Sequence, residues 1–138
     1  HRAAHLARAV MEGITFALRD SLRLMEELGL PVDRVVATGG GARSVFWQQM
    51  QADILGHPIW CTKAEEGPAY GAALLGSVVG KGFSSIQDAV LSGVQLLGPI
   101  EPRNAVANVY DQYFDVYRGL YSDIRESSHL LTSLTGGK

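Results

Sequence analysis

Between residues 2 and 28 the apolar side chains Leu6, Val10, Ile14, Ala17, Leu18, Met25 and Leu28 recur at helical intervals, with Arg8, Glu12, Arg19, Arg23 and Glu27 mostly elsewhere. The period predicts an amphipathic helix with that apolar stripe as its buried face. Gly29 stands where a left-handed cap ends a helix, and Pro31 prevents continuation. Residues 33–38 then form a short apolar run that reads as a buried strand. Ser44 is placed to cap a helix carrying Phe46, Trp47, Met50, Ile54 and Leu55. Gly56 and Pro58 close that helix, and residues 59–62 read as a second strand.

A helix rich in small residues is expected over residues 68–79, with Pro68 in its first turn. Its surface of Ala69, Ala72, Ala73, Gly76 and Gly80 suits close packing on a backbone, which points to the sheet. Ser84 and Ser85 open a short helix through Leu91, and Pro99 and Pro102 mark an irregular connection. A last helix over residues 105–124 carries Val106, Val109, Tyr110, Tyr113, Phe114, Tyr117, Leu120 and Ile124. Residues 127–138 lack a sustained pattern and read as a flexible tail. The alternation of helices and strands indicates a layered α/β domain, a sheet flanked by helices.

The chain has 138 residues, enough for one compact domain, and a formal net charge of −2. Such a charge gives no basic field for nucleic acid or an anionic membrane. No apolar run reaches the roughly 20 residues of a membrane-spanning helix. The single Cys61 cannot form an internal disulfide, which fits a reducing cytoplasm. His1, His5, His57 and His129 show no metal-ligand spacing with Cys61 or one another, and His57, before Pro58, reads as a loop residue.

The residues with most to say are Gly39, Gly40 and Gly41, which end the first strand just before a helix. Consecutive glycines in a packed domain serve either a tight turn or the close approach of a ligand to bare backbone. No lysine follows them, so a P-loop is excluded. Ser44 occupies the third glycine position of a dinucleotide fingerprint, which argues against that class as well. Phe46 and Trp47 read as core, and Asp53 as a cap or salt-bridge partner. The stripe of Tyr110, Tyr113, Phe114 and Tyr117 reads mainly as core, or as a docking surface for another lobe or subunit. No Ser-His-Asp set and no paired acids suggest hydrolytic chemistry.

Three strings together carry a resemblance. They are residues 35–44, Val-Val-Ala-Thr-Gly-Gly-Gly-Ala-Arg-Ser; residues 47–56, beginning at Trp47; and residues 65–75, with Glu66, Ala69, Gly71, Ala72 and Ala73. The chain resembles the C-terminal domain of the FGGY carbohydrate kinases over residues 5–124, and the Gly-Gly-Gly-Ala-Arg-Ser-x-x-Trp string favours the xylulokinase branch. The resemblance implies a partial actin-like (ribonuclease H-like) ATPase domain, residues 1–126, cut from a longer polypeptide and followed by the tail. It implies that Gly39, Gly40, Gly41 and Ala42 line the nucleoside of ATP and that Ser44 is a polar contact to the base. Arg43 would flank base or phosphates, or simply be solvated. Glu65 and Glu66 would shape the pocket wall or cap the next helix.

In similar kinases a small sugar sits mainly on the N-terminal domain, and Mg²⁺ assists transfer of the γ-phosphoryl group to it. The carboxylate base, the metal-associated acids and a Gly-Thr phosphate loop lie upstream, so neither a catalytic residue nor a metal ligand is expected in this segment. The implied activity is phosphorylation of a pentulose, D-xylulose to D-xylulose 5-phosphate, by a cytoplasmic and often homodimeric enzyme; the fragment alone would be inactive. Alternatives are a glycerol, ribulose or gluconate kinase, a non-enzymatic actin-like ATP-binding regulator, and a dimerisation segment built on the aromatic last helix.

Overall fold

The computed structural model describes residues 2–63 and 67–136. In chain order the elements are α1 (Ala3–Glu27), β1 (Val35–Ala37), a 3₁₀ turn (Gly40–Arg43), α2 (Val45–Leu55), β2 (Ile59–Thr62), α3 (Gly67–Val79), α4 (Ile86–Gly93), β3 (Leu96–Ile100) and α5 (Asn104–Leu134). Local signals set most boundaries. At the end of α1 the Gly29 and Leu30 amides donate to the carbonyls of Glu26 and Met25, with Gly29 at φ +73°. Ser44 accepts the Trp47 amide at 3.3 Å and Ser85 that of Asp88 at 3.0 Å, capping α2 and α4.

The sheet is three-stranded in the order β1-β2-β3. β1 and β2 run parallel, with Val35 opposite Ile59 and Ala37 opposite Cys61, and α2 makes the crossover that parallel strands require. β3 pairs antiparallel to β2, Ile59 opposite Ile100, with an irregularity in register between Ile59 and Cys61. This strand replaces the irregular connection expected around Pro99. Proline is tolerated because β3 is an edge, so the missing N–H takes nothing from a ladder.

α2 lies between two apolar clusters. On its sheet side Ala52 and Leu55 meet Ile59 and Cys61; on the other, Met50 and Ile54 meet Phe16 of α1 and Tyr110 and Phe114 of α5. A helix buried on both sides has no single apolar stripe, and α2 is buried without interruption from Met50 to Leu55. Within it the Asp53 carboxylate accepts the Arg103 amide at 2.8 Å and its guanidinium at 2.5 Å, tying α2 to the start of α5. Burial alone would raise the Asp53 pKa, but the Arg103 and Gln49 hydrogen bonds outweigh it and hold the group below its ordinary value. Its reading as a salt-bridge partner stands.

Four expectations need correction. The α1 stripe of Leu6, Val10, Ile14, Leu18, Met25 and Leu28 is exposed, Val10 by 62%. α1 instead packs through Met11, Thr15, Phe16 and Leu22, because the aromatic residues of α5 select the face bearing Phe16. Arg19 closes that contact, stacked 4.5 Å over the Phe114 ring and paired with Asp111. Phe46 is exposed, so only Trp47 of that pair joins the core. Ala69, Ala72, Ala73, Gly76 and Gly80 face outward, and α3 packs on α4 through Leu74 and Tyr70, whose hydroxyl donates to the Gly93 carbonyl at 2.6 Å. Finally, α5 continues ten residues past Ile124 to Leu134, so residues 127–134 are helical and exposed throughout. Of the aromatic stripe, Tyr110 and Phe114 are buried, Tyr117 packs against them, and Tyr113 is exposed.

Candidate functional site

The glycine turn begins where β1 ends. Thr38 leaves the strand, Gly39 takes φ +77°, a conformation L side chains rarely adopt, and residues 40–43 coil into the 3₁₀ turn that leads into α2. The Ala42 amide donates to the Gly39 carbonyl at 3.1 Å and the Ser44 amide to the Gly41 carbonyl at 3.3 Å. The Gln48 side-chain amide donates to the Ala42 carbonyl from below. The first turn of α2 therefore grips the loop that precedes it.

The three glycines have different surroundings. Gly39 is required by its backbone angle. A side chain at Gly41 would point inward, its Cβ 3.0 Å from Trp47 Cζ3 and 3.1 Å from Cε3. A Cβ at Gly40 would meet open space among the described residues, and its φ lies outside the left-handed region. Only Gly40 of the three has no internal reason to be glycine. Thr38, Gly39 and Gly40 are exposed; Gly41, Ala42 and Ser44 are half-buried, and Arg43 is exposed.

Beside the turn, a cavity of about 270 Å³ opens between the carboxyl ends of β1 and β2 and the start of α3. Thr38, Thr62, Tyr70 and Gln95 bring polar atoms to it, while Pro68, Leu74 and Val94 supply apolar surface. The carboxyl ends of parallel strands are where open α/β sheets hold ligands. The volume lies just below the usual range for a ligand site, enough for a small group. Glu65 and Glu66, which belong to the segment between β2 and α3, lie outside the described residues.

Sequence reasoning brought Gly39 to Ala42 and Ser44 to one place, and they are contiguous in space. It passed over Thr15 and Gln48. Thr15 is fully buried on α1 and accepts the Trp47 Nε1–H at 3.1 Å; the signal was an indole N–H that needs an acceptor once its ring packs inward. His57 does lie in a loop, its Nε2 3.1 Å from Glu26 Oε1. Among the described residues no three His, Cys, Asp or Glu side chains are grouped so as to hold a metal ion. No helix among them is long and apolar enough to cross a membrane.

Residues 1–79 match the C-terminal domain of the FGGY family of carbohydrate kinases. The xylulose kinase of Staphylococcus epidermidis (strain ATCC 35984) is 38% identical over 135 residues, which are 98% of this chain and 27% of that protein. The crystal structure of xylulose kinase from Rhodospirillum rubrum superposes with a TM-score of 0.78 at 30% identity, over 94% of this chain and 26% of that one. Gluconate kinase from Lactobacillus acidophilus superposes with a TM-score of 0.75 at 27% identity, over 90% and 25%.

The chain belongs to the FGGY family of carbohydrate kinases. It spans about a quarter of the length of the relatives it matches. The three-stranded sheet and its helices are part of the actin-like ATPase domain that the sequence led us to expect.

Proposed function

We propose that this chain is the adenosine-binding part of an ATP-dependent sugar kinase whose phosphoryl acceptor is D-xylulose, giving D-xylulose 5-phosphate. The observation that carries the reading is Gly40, exposed just past the carboxyl end of β1, with neither a neighbour among the described residues nor a backbone angle to demand glycine. A flat purine lies against main chain only where no Cβ intervenes. Gly39, Gly41 and Ala42 complete that surface. Ser44 spends an oxygen lone pair on the Trp47 amide and keeps its hydroxyl proton to donate to the nucleoside.

The bare main chain of the turn and the Ser44 hydroxyl fit a nucleoside. Metal ligands and the carboxylate that takes the proton of the sugar hydroxyl are assigned to the rest of the full-length polypeptide. So are the sugar contacts, and the fragment alone is inactive. A cytoplasmic location and a homodimer are the states this reading expects. The likeness to both xylulose and gluconate kinases keeps gluconate as the second substrate reading.

The test is sugar-dependent ADP release by the full-length polypeptide with Mg·ATP, comparing D-xylulose, L-ribulose, glycerol and gluconate. Turnover with D-xylulose is expected. Turnover with gluconate alone would move the assignment within the family. ATP binding without turnover on any of them would favour an actin-like regulator.

A further inference from the structure

Thr15 has no solvent-accessible surface, yet it carries a hydroxyl in the middle of the contact between α1 and α2. The group both donates and accepts. Its Oγ1 donates to the Met11 carbonyl at 2.8 Å and accepts the Trp47 Nε1–H at 3.1 Å. With its proton committed to Met11, the oxygen meets the indole as an acceptor. A valine would fill the same space without the cost of burying a hydroxyl, so filling space does not by itself account for threonine here.

The indole that Thr15 holds is the floor of the glycine turn. The six-membered ring of Trp47 lies where a Gly41 side chain would be, and the Trp47 amide is capped by Ser44. A shift of the ring edge therefore moves Gly41, and with it the outward face of Gly40. The connection runs from a buried hydroxyl on α1, through one aromatic ring, to the proposed nucleotide surface.

We propose that Thr15 and Trp47 are positioning residues for the nucleotide turn, the Thr15–Trp47 hydrogen bond fixing the ring on which Gly41 rests. The inference rests on the reading of this turn as the adenosine site. Thr15, fully buried, acts on the turn only through Trp47.

The test uses the full-length polypeptide carrying Thr15→Val, Thr15→Ser and Trp47→Phe, with KM for ATP, KM for sugar, kcat and Tm measured for each. Thr15→Val is expected to raise KM for ATP about three- to tenfold, the worth of one neutral hydrogen bond, with sugar KM and kcat within about twofold. Thr15→Ser, which keeps the hydroxyl, should restore the ATP value. Trp47→Phe, which removes the donor and leaves Thr15 intact, should repeat the selective rise if Thr15→Val does not fold. Wild-type ATP KM in Thr15→Val would overturn the inference, as would equal damage to ATP and sugar parameters in both Thr15 variants. A wild-type polypeptide that neither binds nor turns over ATP would overturn the nucleotide reading itself, and the positioning role with it.

Discussion

Gly40→Ala and Gly41→Ala separate what the fold requires from what a ligand requires. At Gly41 the new methyl lies 3.0 and 3.1 Å from two carbons of the Trp47 ring. Carbon atoms prefer about 3.5–4.0 Å, so ring or turn must give way by a few tenths of an ångström. Overpacking of that kind costs about 1–3 kcal/mol. At Gly40 the methyl meets open space among the described residues at a φ outside the left-handed region, and reduced freedom of the unfolded chain stabilises by about 0.4–1 kcal/mol. Binding reverses the order. A methyl at Gly40 stands off a purine lying on the turn and uncovers roughly 50–100 Å² of its face. At about 25 cal/mol per Å² that is about 1–2.5 kcal/mol, or about five- to seventyfold in affinity. Urea denaturation gives the stabilities, and the KM for ATP of the full-length polypeptide at saturating sugar gives the binding effect. Gly40→Ala with unchanged KM for ATP, or less stable than Gly41→Ala, would refute the reasoning.

Three further outcomes follow from the packing. Phe16→Ala should cost about 3–5 kcal/mol in a denaturant melt, whereas Val10→Lys on the exposed side of α1 should stay within about 0.5 kcal/mol; comparable losses would mean the wrong face of α1 has been placed in the core. Asp53→Asn should destabilise by about 1–2 kcal/mol at pH 7, a range kept low because Arg103 is 61% exposed and its charge is screened. The Asp53 carboxyl titrates lower in the folded chain than in the unfolded one, so its contribution is complete above about pH 4 and fades as pH falls through the folded value. The gap between wild type and Asp53→Asn should therefore narrow in melts below pH 4, and a gap that widens there would contradict the pairing. Burial pushes the Cys61 thiol pKa upward, so alkylation should be slow under native conditions and complete in denaturant; rapid native labelling would place Cys61 at the surface.

Much of the secondary structure was legible because its signals are local. Ser44, Ser85, Gly29 and Gly56 act through the backbone within a turn of themselves, and the elements they bound fall where the letters place them. What could not be read was a choice made elsewhere in the chain. α1 carries two apolar faces, and only the aromatic residues of α5, some 95 residues away, decide that Phe16 turns inward and Val10 outward. β3 was hidden because Pro99 argues against a strand until the strand is known to be an edge. α5 past Ile124 is exposed on every side, so it carries no buried face to mark it.

The candidate site divides in the same way. Three adjacent glycines announced a special turn, but their letters are identical. Their neighbours distinguish them: Gly39 by its φ, Gly41 by Trp47, and Gly40 by having neither constraint. A bulky residue at Gly41 would strike Trp47 first, so its effect on ATP is mixed with its effect on the fold. Gly40 is the position that reports on ligand.

The most direct measurement is a crystal structure of the full-length polypeptide with a non-hydrolysable ATP analogue. The account predicts the purine within van der Waals distance of the Gly40 main chain, with the Ser44 hydroxyl donating to the nucleoside. A purine seated away from residues 39–44 would contradict it.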